Sequence, residues 1–124
     1  MNLRLISSIF SLFISVSVVH AVEVTKDSWV ESMTTAIPTY FCQTEQYFRQ
    51  CFDVSAVKCE EVAVSSTRIC IAKTIDQIPN TLHQPKDGTK WGTVVGTCVG
   101  QSYEISLIKS KIRNSKCNDA NNWK

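Results

Sequence analysis

The chain has 124 residues, six cysteines, 44% hydrophobic residues and a formal net charge of +2. That length allows one domain with a thin core and excludes a multidomain enzyme. The near balance of charge falls well short of the basic surplus that carries nucleic-acid binding, so no nucleic-acid partner is expected.

The opening "MNLRLISSIFSLFISVSVVHAVEV" has one cation, Arg4, an apolar run from Leu5 to Val19, and the small residues Val19 and Ala21 ahead of Val22. This is the layout of a secretory signal peptide cut after Ala21. A membrane anchor needs about 20 apolar residues, whereas this run is shorter and interrupted by Ser7, Ser8, Ser11, Ser15 and Ser17. Residues 1–21 therefore read as a signal peptide and residues 22–124 as a single disulfide-bonded domain with a basic C-terminal tail. The product is expected to be secreted, with retention in the periplasm as the alternative.

Residues 25–52 carry a helical pattern. Trp29, Met33, Ile37, Phe41, Thr44 and Phe48 follow the i, i+3/i+4 rule, and Thr25 or Asp27 is placed to cap the start. Pro38 lacks the N–H that a helix interior uses, so it should either kink this helix or open a second one, and two pieces are favoured, near 26–36 and 38–51.

"DVSAVKCEEV" supplies a turn and a new start, capped by Asp53 or Ser55, with Glu60 and Glu61 near the positive end of the helix dipole. On a helix over 56–75, Cys59, Val62, Ser66, Ile69 and Cys70 share one side, and Val57, Val64, Ile71 and Ile75 the opposite side. A helix apolar on two faces is sandwiched between other elements. A pair of strands is the rival, because "EVAVSS" and "RICIAK" also alternate. It would leave no Gly or Asn turn signal between them.

Residues 78–91, "IPNTLHQPKDGTKW", show two prolines, a "PKDG" turn and no apolar period, and read as a surface loop. The next stretch, "WGTVVGTCVGQSYEISLIKSKI", is predicted to form a helix over 93–115. Gly92, Gly96 and Gly100 would make a smooth groove on it for another helix. The fold class expected is mainly α, a small disulfide-stapled bundle of three to four helices. An α+β fold with a hairpin near 93–108 is the alternative, because "YEISLI" alternates as a strand would.

The six cysteines, Cys42, Cys51, Cys59, Cys70, Cys98 and Cys117, all follow the signal peptide, and their even number reads as three disulfides. Their spacing contains no C-x2-C or C-x4-C pair and His83 is the sole histidine after residue 21, so neither a metal site nor a cofactor is expected. If 38–51 and 56–75 form an antiparallel hairpin, Cys51 faces Cys59 and Cys42 faces Cys70. This stretch resembles the twin C-x9-C helical hairpins, which pair in the same nested way, although the gaps here are C-x8-C and C-x10-C. The remaining pair conflicts with one long last helix, which would hold Cys98 and Cys117 about 28 Å apart. A helix folding back along 56–75 would instead bring Cys98 near Cys70, and Cys117 near Cys51 and Cys59. Six cysteines permit 15 connectivities, and nested pairing is the first expectation.

A catalytic reading has little to build on. His83 with Asp76 or Asp87 could complete a triad only with a nucleophile for which no motif is present. Glu60 and Glu61 are adjacent, hence about 100° apart on a helix, and read as an acidic first turn. No enzymatic chemistry is expected.

Charge distribution is more informative. Residues 22–108 hold seven cations and ten anions, net −3, while residues 109–124 hold five cations and one anion, net +4. Lys109, Lys111, Arg113 and Lys116 are the candidate lipid- or partner-binding residues, with Lys109, Arg113 and Lys116 expected on one helix face. Clusters of four to eight cations mark surfaces that dock on anionic lipid head groups, and Trp123 could add an interfacial aromatic. The competing reading is a helix C-terminus wearing its preferred cations. Tyr40, Phe41, Tyr47, Phe48 and Phe52 exceed what a thin core can bury, and any excess would form a patch for a protein partner or a homodimer.

The signal peptide, the short Lys/Ile/Asn/Ser-rich mature chain, "YFRQCF" and "WGTVVGTCVG" together resemble small exported bacterial proteins, of the kind that Legionella-type bacteria release through type II secretion. That resemblance implies a host-directed binding protein without enzymatic chemistry, able to dimerise and to touch phosphoinositide membranes. The alternative is a periplasmic structural or inhibitor protein that binds another protein.

Overall fold

A computed structural model describes residues 21–123. The expected signal peptide thus lies, apart from Ala21, outside the described residues. Among these, the order is β1 (Val22–Thr25), α1 (Lys26–Phe41), α2 (Tyr47–Gln50), α3 (Ala56–Thr74), β2 (Thr81–Gln84), α4 (Lys86–Ser106) and α5 (Ser115–Asn118), with 3-10 turns at Ile108–Ser110 and Ala120–Trp123. No helix among the described residues is long and apolar enough to cross a membrane.

The fold is mainly α, and α3 is its central layer. Its start is fixed by Ser55, whose hydroxyl accepts the Lys58 backbone N–H at 3.1 Å. α1 lies antiparallel along one side: the Cys42–Cys59 disulfide joins the end of α1 to the first turn of α3, and Lys26 Nζ donates to the Ile75 carbonyl at 3.2 Å at the other end. α4 returns along a second side and is bonded to α3 through Cys70–Cys98. The sandwiched position expected for this helix is thus present, with Cys59, Ser66, Cys70 and Ile71 buried as read, and Ala63, Thr67 and Thr74 in place of Val57 and Ile69. Ala63, Ser66, Thr67, Cys70 and Ile71 are buried, whereas Val57 stays 67% exposed. Small side chains let two neighbours approach closely. The buried threonine hydroxyls are satisfied within the helix, Thr67 donating to Ala63 O at 2.7 Å and Thr74 to Cys70 O at 2.9 Å.

The core runs along α4. Trp91, Val95, Val99 and Tyr103 recur every four residues and are all buried, the last three completely. Leu82, Phe52 and Ile78 belong to the same core, together with Trp29, Ile37 and Phe41 from α1.

Four expectations are corrected. Pro38 does not divide the first helix: α1, capped by Thr25, continues through it to Phe41 because Ile37, Pro38 and Phe41 are all buried. That packing offsets the missing hydrogen bond. The chain then turns, leaving α2 as a single helical turn.

Residues 78–91 are not a loop. Thr81–Gln84 pairs antiparallel with Val22–Thr25 in the register Val22↔Gln84 to Thr25↔Thr81, and α4 starts at Lys86, immediately after a cis Gln84–Pro85 bond. The Asp87 carboxylate accepts the His83 N–H at 2.8 Å, tying strand to helix.

The helix expected over 93–115 is α4, which ends at Ser106. Leu107 is buried there, and the chain reverses to run beside residues 51–53, with Asp53 N–H donating to Ser110 O and Ile112 N–H to Cys51 O, both at 2.8 Å. Finally, the nested disulfides are not formed. The bonds are Cys42–Cys59, Cys51–Cys117 and Cys70–Cys98, because α1, not a 38–51 helix, is the partner of α3. The break after Ser106 also removes the conflict over Cys98 and Cys117, and the fold-back geometry accounts for both of their pairings.

Candidate functional site

The reversal after α4 builds a cleft of about 670 Å³ between α2, the second half of α4 and the C-terminal turns. Tyr47 and Phe48 come from α2; Gly100, Gln101 and Glu104 come from α4. The Cys51–Cys117 bond carries the C-terminal segment to the remaining side, where Lys111 and Trp123 close the wall. α5 is capped by Asn114, whose side chain accepts the Cys117 N–H at 2.7 Å. The last 3-10 turn then lays Trp123 edge to face with Tyr47, ring centroids 5.5 Å apart.

The floor depends on a close approach. A Cβ added at Gly100 would sit 3.1 Å from the Phe48 ring, so glycine is what lets α2 lie directly on α4. Phe48 stacks on Phe41 at 4.1 Å and meets Tyr103 edge-on at 5.2 Å. The Tyr103 hydroxyl donates to the Phe48 carbonyl at 2.9 Å, and burial pushes its pKa up to about 12. Gly92 and Gly96 have no such neighbour: a Cβ at either would meet nothing within 4 Å. The glycine stripe expected to receive a helix is therefore open on the described structure except at Gly100.

One polar triad sits in the wall. The Tyr47 hydroxyl donates to Glu104 Oε1, and Lys111 Nζ lies 3.4 Å from the same oxygen. Burial and the adjacent Glu104 carboxylate raise the Tyr47 pKa. The Tyr47 hydroxyl, with help from Glu104, holds the Lys111 ammonium above the ordinary lysine range. Lys111 also lies 5.6 Å from the centre of the Tyr47 ring, a cation–π contact.

Lys109, Arg113 and Lys116 do not share one helix face, since no helix joins them. Lys109 stands exposed on a 3-10 turn and Arg113 exposed in an extended segment. Lys116, on α5, bonds Gln50 Oε1 at 2.6 Å and lies 4.9 Å from the Trp123 ring centre. Lys111 is only 21% exposed and paired with Glu104, so it is not a free surface cation. Among the described residues no carboxylate lies within ion-pair range of Lys109, Arg113 or Lys116.

The other candidates are not brought together. The His83 imidazole meets Glu23 at 3.1 Å across the two-stranded sheet, while Asp87 is occupied with the His83 backbone. Glu61 pairs with Lys58 at 3.6 Å on the surface of α3. Among the described residues no three His, Cys, Asp or Glu side chains converge to hold a metal.

The sequence reading missed Glu104 and Gln101 as cleft residues, because their setting depends on where α4 stops. The aromatic surplus was visible: Tyr40 remains 56% exposed, and Tyr47 and Phe48 are half-buried.

A family model described as T2SS substrate NttA, that is, a substrate of type II secretion, matches residues 23–111. The match covers α1 through Lys111 and stops short of Arg113, Lys116 and Trp123. No curated protein and no solved structure matches the chain.

Proposed function

We propose, for a chain that belongs to the NttA family of type II secretion substrates, that it works after release as a non-enzymatic interaction protein. Its basic C-terminal segment would dock on anionic lipid head groups. Membership of that family makes the protein a secreted one, exported by way of the periplasm; the docking surface is our own reading. A host cell membrane is the surface we have in mind, in keeping with the resemblance to Legionella-type substrates.

The observation that carries the reading is the state of three cations. Lys109, Arg113 and Lys116 are exposed, have no carboxylate in reach among the described residues, and lie on a segment fixed to the body by Cys51–Cys117. A fixed array loses less side-chain and chain entropy on docking than a loose tail. Trp123, held beside Lys116 by its Nε1–H bond to the Lys116 carbonyl at 3.2 Å, places an aromatic next to those charges, as at membrane interfaces.

Sedimentation with phosphatidylinositol-phosphate vesicles tests this. Binding is expected to fall steeply with salt, as the Debye length shrinks from about 10 Å at 0.1 M to about 3 Å at 1 M, and to vanish when Lys109, Arg113 and Lys116 are all changed to Glu. Equal binding to neutral vesicles, or binding that survives the triple reversal, would overturn the reading.

A further inference from the structure

We propose that the cleft beside Tyr40 and Gly100, which has the C-terminal segment as one wall, is a binding site for a neutral saccharide. Its volume, about 670 Å³, falls in the range of small-ligand sites, about 300–1,000 Å³. The ligand class follows from what lines it.

Charge comes first. The two ionised groups in the cleft wall, Glu104 and Lys111, are paired with each other, so the interior offers no net attraction to an anion or a cation. A cationic ligand is further disfavoured because Lys111 already sits over Tyr47 and Lys116 over Trp123.

The neutral lining is of two kinds. Tyr40 is 56% exposed and among the described residues its one aromatic contact is edge-on with Phe41, ring centroids 6.4 Å apart, which leaves it available as a platform. An aromatic face is electron-rich and attracts the slightly positive C–H groups on one side of a pyranose ring. Beside it stand the amides of Gln46, Gln101 and Asn118. Each amide both donates and accepts hydrogen bonds, as a sugar hydroxyl does, and Glu104 Oε2 has no hydrogen-bond partner among the described residues. An apolar peptide would leave these polar groups dry and unpaired, a cost that a polyhydroxyl ligand avoids.

The site is also built in advance. Cys42–Cys59 fixes the end of α1 just past Tyr40, and Cys51–Cys117 fixes the opposite wall. Binding therefore spends little on ordering loops.

Isothermal titration of the mature, disulfide-intact protein against maltotriose, cellotriose, mannotriose and chitotriose provides the test. At least one is expected to bind saturably, with affinity reduced about tenfold or more in Tyr40→Ala, a loss typical of an aromatic contact residue. Should Tyr40→Ala lower the melting midpoint, Gln101→Ala, an exposed position on α4, decides in its place. The Lys109→Glu/Arg113→Glu protein, altered only at exposed positions outside the cleft lining, should bind the sugar as the parent does, which keeps this result independent of vesicle docking. Failure of all four sugars to bind at up to about 10 mM, or unchanged affinity in folded Tyr40→Ala or Gln101→Ala protein, overturns the proposal.

Discussion

Removing the Cys51–Cys117 bond with the double change Cys51→Ala/Cys117→Ala should cost more stability than removing either other disulfide. The bond closes a separation of 66 residues, against 28 for Cys70–Cys98 and 17 for Cys42–Cys59. In the chain-entropy model these loops correspond to about 4.3, 3.6 and 3.1 kcal/mol respectively. Alanine is the right replacement, because Cys51 and Cys117 are both buried and a serine hydroxyl would need a new partner. A domain of this size is stable by about 5–15 kcal/mol in total, so the largest of these losses removes a large share. Guanidinium unfolding of the three double variants, followed by far-UV circular dichroism, measures the order directly. The long bond also holds residues 107–123 against the body, so its loss alone should shift the Trp123 contribution to fluorescence toward that of a solvated indole, while Trp29 and Trp91 stay buried. A loss below about 1 kcal/mol, or a larger loss on deleting Cys42–Cys59, would refute the argument.

Two further outcomes follow from the groups around the cleft. The fold holds the Tyr103 proton to about pH 12, whereas an unfolded tyrosine releases it near pH 10, so the unfolded state ionises first and stability should fall as pH rises through that window. The full effect is on the order of 2–3 kcal/mol; about half of it falls between pH 9 and 11, and that half should be missing from the difference between unfolding curves at those two values in Tyr103→Phe protein. Glu104→Gln should lower the pKa of Tyr47, because the lost carboxylate is one of the two influences that raise it. Absorbance titration at the tyrosinate band in a Tyr103→Phe background reads that shift, and an unchanged or raised value would contradict the triad.

Some of this architecture was legible residue by residue. Thr25 and Ser55 were readable as caps because capping is local: the hydroxyl satisfies an N–H three residues on. A helix after residue 92 was readable, but its start was not: Trp91, the first of the buried line Trp91, Val95, Val99 and Tyr103, fell in the stretch that reads as loop. The prolines and "PKDG" of residues 78–91 have turn chemistry, and only pairing with Val22–Thr25, some 60 positions earlier, makes a strand of "TLHQ". The cleft was legible only as a surplus of aromatics near residues 40–52 and a basic stretch after 108. Nothing local in Glu104 or Gln101 marks them, since both follow the polar pattern of an ordinary exposed helix face.

What the sequence determined by itself was therefore whatever depends on composition, short-range spacing or count. These are the mainly helical class, the export pattern, the three-disulfide total and the sign asymmetry at residue 109. The tertiary structure decided the pairing of the cysteines, the continuity of α1 through Pro38, the stop after Ser106 and the meeting of Tyr47, Glu104, Lys111 and Trp123. Each of those turns on a comparison between a local preference and the free energy of burying particular side chains against distant ones. Pro38 stays helical because its neighbours are packed, and α4 stops because Leu107 is buried while Ser110 and Ile112 find backbone partners at residues 51–53. Such terms arise between residues tens of positions apart, and no window of sequence contains both sides of the balance.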